Sequence, residues 1–134
     1  MSMPLIYIST WKIKKGKLET LKRISQELVD LFMEREQQIV AFNTFINEEG
    51  TEMTSIQFHP DADSMDSHMK VLGQAFKEVE GMGEVMELIE PISIEIYGTP
   101  SASLLESDRQ LVESGVPRNI KPILIAGFTR SSAG

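Results

Sequence analysis

The order strand, helix, strand, strand, helix, strand over residues 1–98 predicts an α+β fold, a ferredoxin-like β-α-β-β-α-β sandwich built on a four-stranded antiparallel sheet. Three observations predict it. Two stripes of apolar residues at three- and four-residue steps alternate with segments of period-two hydrophobicity, a glycine-bearing turn joins the middle two strands, and Gly or Pro marks the element boundaries.

Residues Leu5 to Ile13 read as the first strand, because Ile6, Tyr7, Ile8 and Trp11 are β-branched or aromatic and Gly16 breaks the run. A helix starts near Lys17. Its apolar positions Leu18, Leu21, Ile24, Leu28, Leu31 and Phe32 lie on one side, with Glu19, Lys22, Arg23, Glu27 and Asp30 on the other. Val40 to Asn47 and Thr51 to His59 form a hairpin across Glu48-Glu49-Gly50. Pro60 ends it, and Asp61-Ala62-Asp63-Ser64 offers capping oxygens to a second helix from about Ser64 to Val79, whose stripe is Met65, His68, Met69, Leu72, Phe76 and Val79. Residues 81–89 leave room for an extra helical turn, and Ile92 to Tyr97 alternate as the fourth strand.

Residues 99–134 read as an extension to this domain. Ser103 and Glu106 have capping-box spacing for a helix to about Ser114, and Ile120 to Thr129 is an apolar run expected to be a fifth strand, paired within its own sheet or across to a second subunit. Two helices cover one face of a sheet only. Phe45, Tyr97 and other apolar groups on the opposite face, among Asn43, Ser55, Gln57 and Glu95, therefore predict a homodimer joined through it, the alternative being a monomer whose tail covers its own sheet.

The composition narrows the function classes. The 134 residues are 41% hydrophobic and 25% charged, which suits one globular domain, and the net charge of −7 with no dense basic run argues against nucleic acid or an anionic membrane as a partner. There is no cysteine, which excludes disulfides, thiolate nucleophiles and cysteine-ligated zinc. No signal peptide or transmembrane run is read, and a cytoplasmic location is expected.

Few residues can carry chemistry. His68 lies on the sheet-facing stripe of the second helix, either handling a proton or serving as a core residue bonded to a backbone carbonyl or a strand side chain. Trp11 offers an apolar wall and one N–H to a ring-shaped ligand, or packs at the sheet edge. Asn43, Gln57 and Tyr97 can orient a carbonyl or phenol, or bridge an interface through water. His59, at a strand end before Pro60, is expected to face solvent. No metal-ligand spacing and no Gly-rich phosphate loop occurs, so neither metal nor cofactor is expected.

The phrase Lys12-Ile13-Lys14-Lys15-Gly16-Lys17-Leu18-Glu19, and the passage from Ile56 through His59-Pro60-Asp61 and Ser64 to His68, resemble the dimeric α+β barrel superfamily and within it the antibiotic biosynthesis monooxygenase-like domains. The resemblance covers about residues 3–98. It implies a homodimer whose cavities lie between sheet and helices, and it places His68 at the family's helix histidine. Members include cofactor-independent oxygenases of quinols and polycyclic phenols, heme-degrading enzymes and domains without known activity. The heme-degrading branch expects an asparagine where this chain has Ser9, and a tryptophan nearer the third strand than Trp11, which argues against heme degradation. Two readings stand: a cofactor-independent monooxygenase-like enzyme acting on a small aromatic compound, with His68 managing the proton and Trp11, Asn43 and Tyr97 positioning the ring, and a noncatalytic ligand-binding or dimerisation domain.

Overall fold

The computed structural model describes residues 3–130. β1 (Leu5–Ile13) leads through Gly16 into α1 (Leu18–Arg35), and the hairpin follows as β2 (Ala41–Ile46) and β3 (Glu52–His59). Gly16 has a positive φ of 79°, the left-handed conformation that the strand-to-helix turn requires. α2 (Ala62–Glu78) begins at an Asp61 cap whose side chain accepts from the Ser64 backbone N–H. A 3₁₀ helix (Met82–Glu87) fills the connector, and β4 (Ile89–Tyr97) completes the motif.

The sheet has five strands, in the order β2-β3-β1-β4-β5, and not four. β5 is Arg118–Lys121 and runs parallel to β4, pairing Ile94 with Arg118 and Ile96 with Ile120. The expected strand over Ile120 to Thr129 is thus shorter and earlier. Pro122 follows Lys121 directly and has no N–H to continue the ladder, so Ile123, Leu124, Ile125 and Phe128 stay exposed outside the sheet. The extension also folds as two short helices, α3 (Ala102–Ser107) and α4 (Arg109–Glu113), and its cap is Ser101, whose Oγ accepts from Leu104 N–H, in place of the expected Ser103.

Strand register sorts residues onto two faces. Leu5 pairs with His59, Tyr7 with Gln57, Ser9 with Ser55 and Trp11 with Met53, and these side chains turn toward the helices. The intervening pairs, Ile6 with Phe58 and Ile8 with Ile56, share the other face with Asn43, Phe45, Glu95 and Tyr97. Ser55 and Gln57 therefore lie opposite Asn43 and Tyr97, not beside them. β3 is inverted relative to an ordinary half-buried strand, with Ser55, Gln57 and His59 inward and Ile56 and Phe58 outward.

Two apolar clusters form the core. One joins Ile13, Leu21, Ile24, Met53, Val85 and Ile89, and the other joins Leu5, Tyr7, Met65, Ile94, Ile96 and Leu104. The inward polar residues of β1 and β3 fall between them. A pairing shift between Thr10 and Trp11 places Pro91 opposite Trp11 and leaves Ile92 as the extra residue of a bulge.

Candidate active site

The site begins with a continued helical stripe. Leu28, Phe32 and Glu36 follow one another at four-residue steps, so Glu36, the C-cap residue of α1, lands on the face that α1 turns to the core. There it meets α2: Glu36 Oε2 is 2.7 Å from His68 Nδ1, and the two side chains are 1% and 2% exposed. Gln38 Nε2 donates to the other carboxylate oxygen at 3.4 Å. Phe32 holds the imidazole edge-on, with ring centroids 4.6 Å apart, and Phe42 lies 5.7 Å away.

Burial shifts both groups toward their neutral forms. It raises Glu36 to about 7 and lowers His68 to about 4. Near neutral pH the pair therefore exchanges a single proton between two states. When Glu36 is ionised it accepts from Nδ1–H and leaves a lone pair on Nε2; when Glu36 is protonated it donates to Nδ1 and Nε2 carries the hydrogen. Among the described residues Nε2 has no hydrogen-bond partner, and it is not among the buried atoms left unsatisfied.

His68 lines a cavity of about 210 Å³ between the sheet and the two long helices. Phe32, Phe42, Phe76 and Trp11 give it aromatic walls, while Ser9, Ser55, Thr44 and Gln57 supply its polar groups. Glu36 also borders a separate surface groove with Met33, Gln37 and Val40, while its side chain stays buried against His68.

A second polar chain lies beside it. His59 is fully buried, contrary to the solvent-facing position expected before Pro60, because β3 turns it inward with Gln57. Its Nδ1 is 2.7 Å from Ser64 Oγ and its Nε2 is 2.9 Å from Gln57 Oε1. Burial, then the neighbouring His68, lowers it to about 4, which keeps it neutral.

Of the residues singled out in the sequence, the structure brings His68, Trp11 and Gln57 to one cavity. Asn43 and Tyr97 are elsewhere. Asn43 is exposed and borders an open groove along α1 and β2, and Tyr97 lies on the outer sheet face, where its hydroxyl donates to Glu95 at 2.6 Å. Glu36 was missed, although a carboxylate continuing an apolar stripe is a readable signal. The inverted pattern of β3 is another. Among the described residues no group of three or more His, Cys, Asp or Glu is placed to hold a metal ion, and no helix is long and apolar enough to cross a membrane.

No protein-family model and no curated protein sequence matches the chain. Solved structures do match. MupZ from Pseudomonas fluorescens superposes with a TM-score of 0.69 at 18% identity, over 100% of this chain and 94% of MupZ, so the likeness runs through the extension. SnoaB, a cofactor-independent oxygenase from Streptomyces nogalater solved as a point mutant, matches with a TM-score of 0.53 at 10% identity, over 74% of this chain and 95% of SnoaB. A candidate antibiotic biosynthesis monooxygenase from Chloroflexus aurantiacus gives 0.56 at 10% identity, over 75% and 94%. The chain has the antibiotic biosynthesis monooxygenase-like fold. At these identities the likeness is one of architecture, and the chemistry must be argued from the cavity.

In this chain a parallel fifth strand binds the extension to the edge of β4. Tyr7 fastens it from below, donating to Asp108 Oδ1 at 2.9 Å.

Proposed function

We propose that this protein is an acid–base enzyme that uses the Glu36–His68 pair to take a proton from a small, largely apolar substrate, and that the reaction is a cofactor-independent oxygenation of a phenol or quinol. The observation that carries the reading is His68 at the cavity wall, its Nε2 without a partner among the described residues and its Nδ1 2.7 Å from Glu36. A phenol O–H gives its proton to Nε2 while the Nδ1 proton moves to Glu36 Oε2. The resulting anion is electron-rich at the ring carbons, and dioxygen is the co-reactant. One oxygen atom bonds to carbon as the new carbonyl and the other leaves as water, so that phenol and dioxygen become quinone and water with the ring supplying all four electrons. Aromatic walls suit such a ring, and Glu36 holds the proton until it is returned.

The same pair supports a second reading, a proton transfer without oxidation such as an enol–keto isomerisation. It is favoured by Glu36 lying at about 7, which makes Nε2–H a donor on the acid side as readily as Nε2 is a base on the alkaline side. Oxygen uptake separates the two. The wild-type protein and His68→Gln are incubated with a panel of hydroquinones and naphthols, with oxygen consumption and product mass recorded. Uptake by the wild type alone supports the oxygenase, conversion without uptake supports the second reading, and equal behaviour of the two proteins removes His68 from the reaction.

We further propose that the working unit is a homodimer. The outer sheet face carries Ile6, Ile8, Ile56, Phe58 and Phe45, and neither helix covers it.

A further inference from the structure

We propose that Gln57 is the donor that binds the substrate's reacting oxygen as it becomes negative, and that His59 is the positioning residue that aims it; this rests on the acid–base reading for the identity of that oxygen.

The structure turns Gln57 Oε1 toward His59, and hydrogen-bond valence orients the rest of the chain from there. Gln57 Oε1 can only accept, so His59 Nε2, 2.9 Å away, carries the hydrogen and donates it. His59 Nδ1 is then an acceptor, and Ser64 Oγ donates to it at 2.7 Å. Ser64 is itself fixed at the start of α2, where its backbone N–H donates to Asp61 Oδ1 at 2.9 Å. The run from Asp61 to Gln57 thus ends on an amide whose oxygen is committed and whose two N–H groups have no protein partner among the described residues. Gln57 is only 7% exposed and lines the same cavity as His68. The His59 and His68 rings are 5.7 Å apart, which puts the amide and the base on adjoining parts of one wall.

An inward amide with unused donors is costly unless an acceptor visits it. The occupant it fits is an oxygen that gains negative charge in the reaction, such as a phenolate or enolate oxygen. No lysine or arginine lines the cavity, so stabilisation there must come from neutral donors. The titratable groups near Gln57 are His59 on its oxygen side and His68, backed by Glu36, beside it on the same wall. Trp11, the other N–H donor on the wall, is four residues along β1 from Tyr7, the register partner of Gln57, or about 13 Å away at strand rise.

4-Nitrophenol is a suitable probe, because its phenol and phenolate forms absorb at different wavelengths. It is titrated into the wild type, Gln57→Met, His59→Gln and His68→Gln across neutral pH, with thermal melts run in parallel. Gln57→Met is expected to weaken phenolate binding roughly tenfold to a hundredfold, the usual worth of a hydrogen bond to a charged group, while leaving binding of the un-ionised phenol unchanged. His59→Gln gives a smaller loss of the same kind. In the wild type, the Gln57 side-chain amide proton resonance moves downfield when the phenolate binds, a reading that needs no variant to fold. Undiminished phenolate binding by Gln57→Met, or an unmoved amide resonance, overturns the inference. Loss of phenolate binding in His68→Gln alone also overturns it and leaves the proton-transfer reading standing. Loss in Gln57→Met, with no turnover of the phenol panel by the wild type, upholds the donor and removes the oxygenase.

Discussion

Glu36 and His68 meet 2.7 Å apart, from the end of one helix and the middle of another, with neither side chain more than 2% exposed. A carboxylate removed from water this completely is tolerated because it can hold a proton and because the imidazole answers it. Replacing His68 by Gln keeps a hydrogen-bonding partner for Glu36 and removes the base. The expected outcome is a loss of roughly a hundredfold or more in kcat for any substrate the wild type turns over, with a native circular dichroism spectrum.

Activity should follow the ionisation of the pair. Glu36 lies at about 7 through burial, and the base form of Nε2 requires Glu36 to be ionised. The rate of substrate deprotonation is expected to rise with pH through about 7 and then level. A profile that falls over that interval would indicate that the pair works as an acid.

Stability carries the opposite sign for the two kinds of group. The histidines have folded values of about 4 against 6.5 unfolded, so the folded state is weakened as pH falls from 6.5 toward 4. Glu36 has a folded value of about 7 against 4.5, so its contribution is whole below 4.5 and is lost as pH rises through 7, by roughly 3 kcal/mol. Asp108, also raised by burial, acts in the same direction as Glu36. Urea midpoints should therefore peak near pH 6.5, and Glu36→Gln should flatten the decline on the alkaline side.

The extension is held by a buried contact that can be cut. Tyr7 donates to Asp108 Oδ1 at 2.9 Å, Asp108 Oδ2 has no partner, and Arg118 is 4.0 Å off. Tyr7→Phe strips the carboxylate of its short hydrogen bond and is expected to cost roughly 1–3 kcal/mol in urea denaturation. Adding Asp108→Asn should recover part of it, since a neutral amide is cheaper to bury unpaired.

Truncation separates the strand from the tail. Removing residues 122–134 takes away exposed apolar groups, with Ile125 93% and Phe128 81% exposed, and should leave the thermal midpoint unchanged. Removing residues 116–134 also deletes β5 and the buried Val116, and should lower it. If the shorter truncation alone alters the dimer mass in solution, the tail belongs to the interface.

The four core strands and two long helices were legible because each repeats a period: Leu5 to Ile13 matches β1 at both ends, and the α2 stripe placed His68 inward. The fifth strand was misjudged because apolar content from Ile123 to Phe128 outweighed the one residue that matters to a ladder, Pro122. The site was half legible. His68 was read from the sheet-facing stripe of α2 and Trp11 from its residue type late in β1, and both line the cavity; Asn43 and Tyr97 lie on the outer face, as their alternation implies, whereas Ser55 and Gln57, read onto that same face, turn inward in a register that only strand pairing supplies. His59 was misread for a related reason, since a residue before proline at a strand end usually lies at the surface, and only the inversion of β3 carries it inside.

Because Glu36 arrives beside His68 as the last residue of a helical stripe, α1 behaves as a ruler whose length is set in whole turns. One residue inserted anywhere between Leu21 and Phe32 swings every later position by about 100° and advances it by about 1.5 Å. The carboxylate would then point into solvent or into α2's flank while the sheet stayed paired. A single codon's insertion in α1 would thus take the acid from the pair, with the histidine left in place.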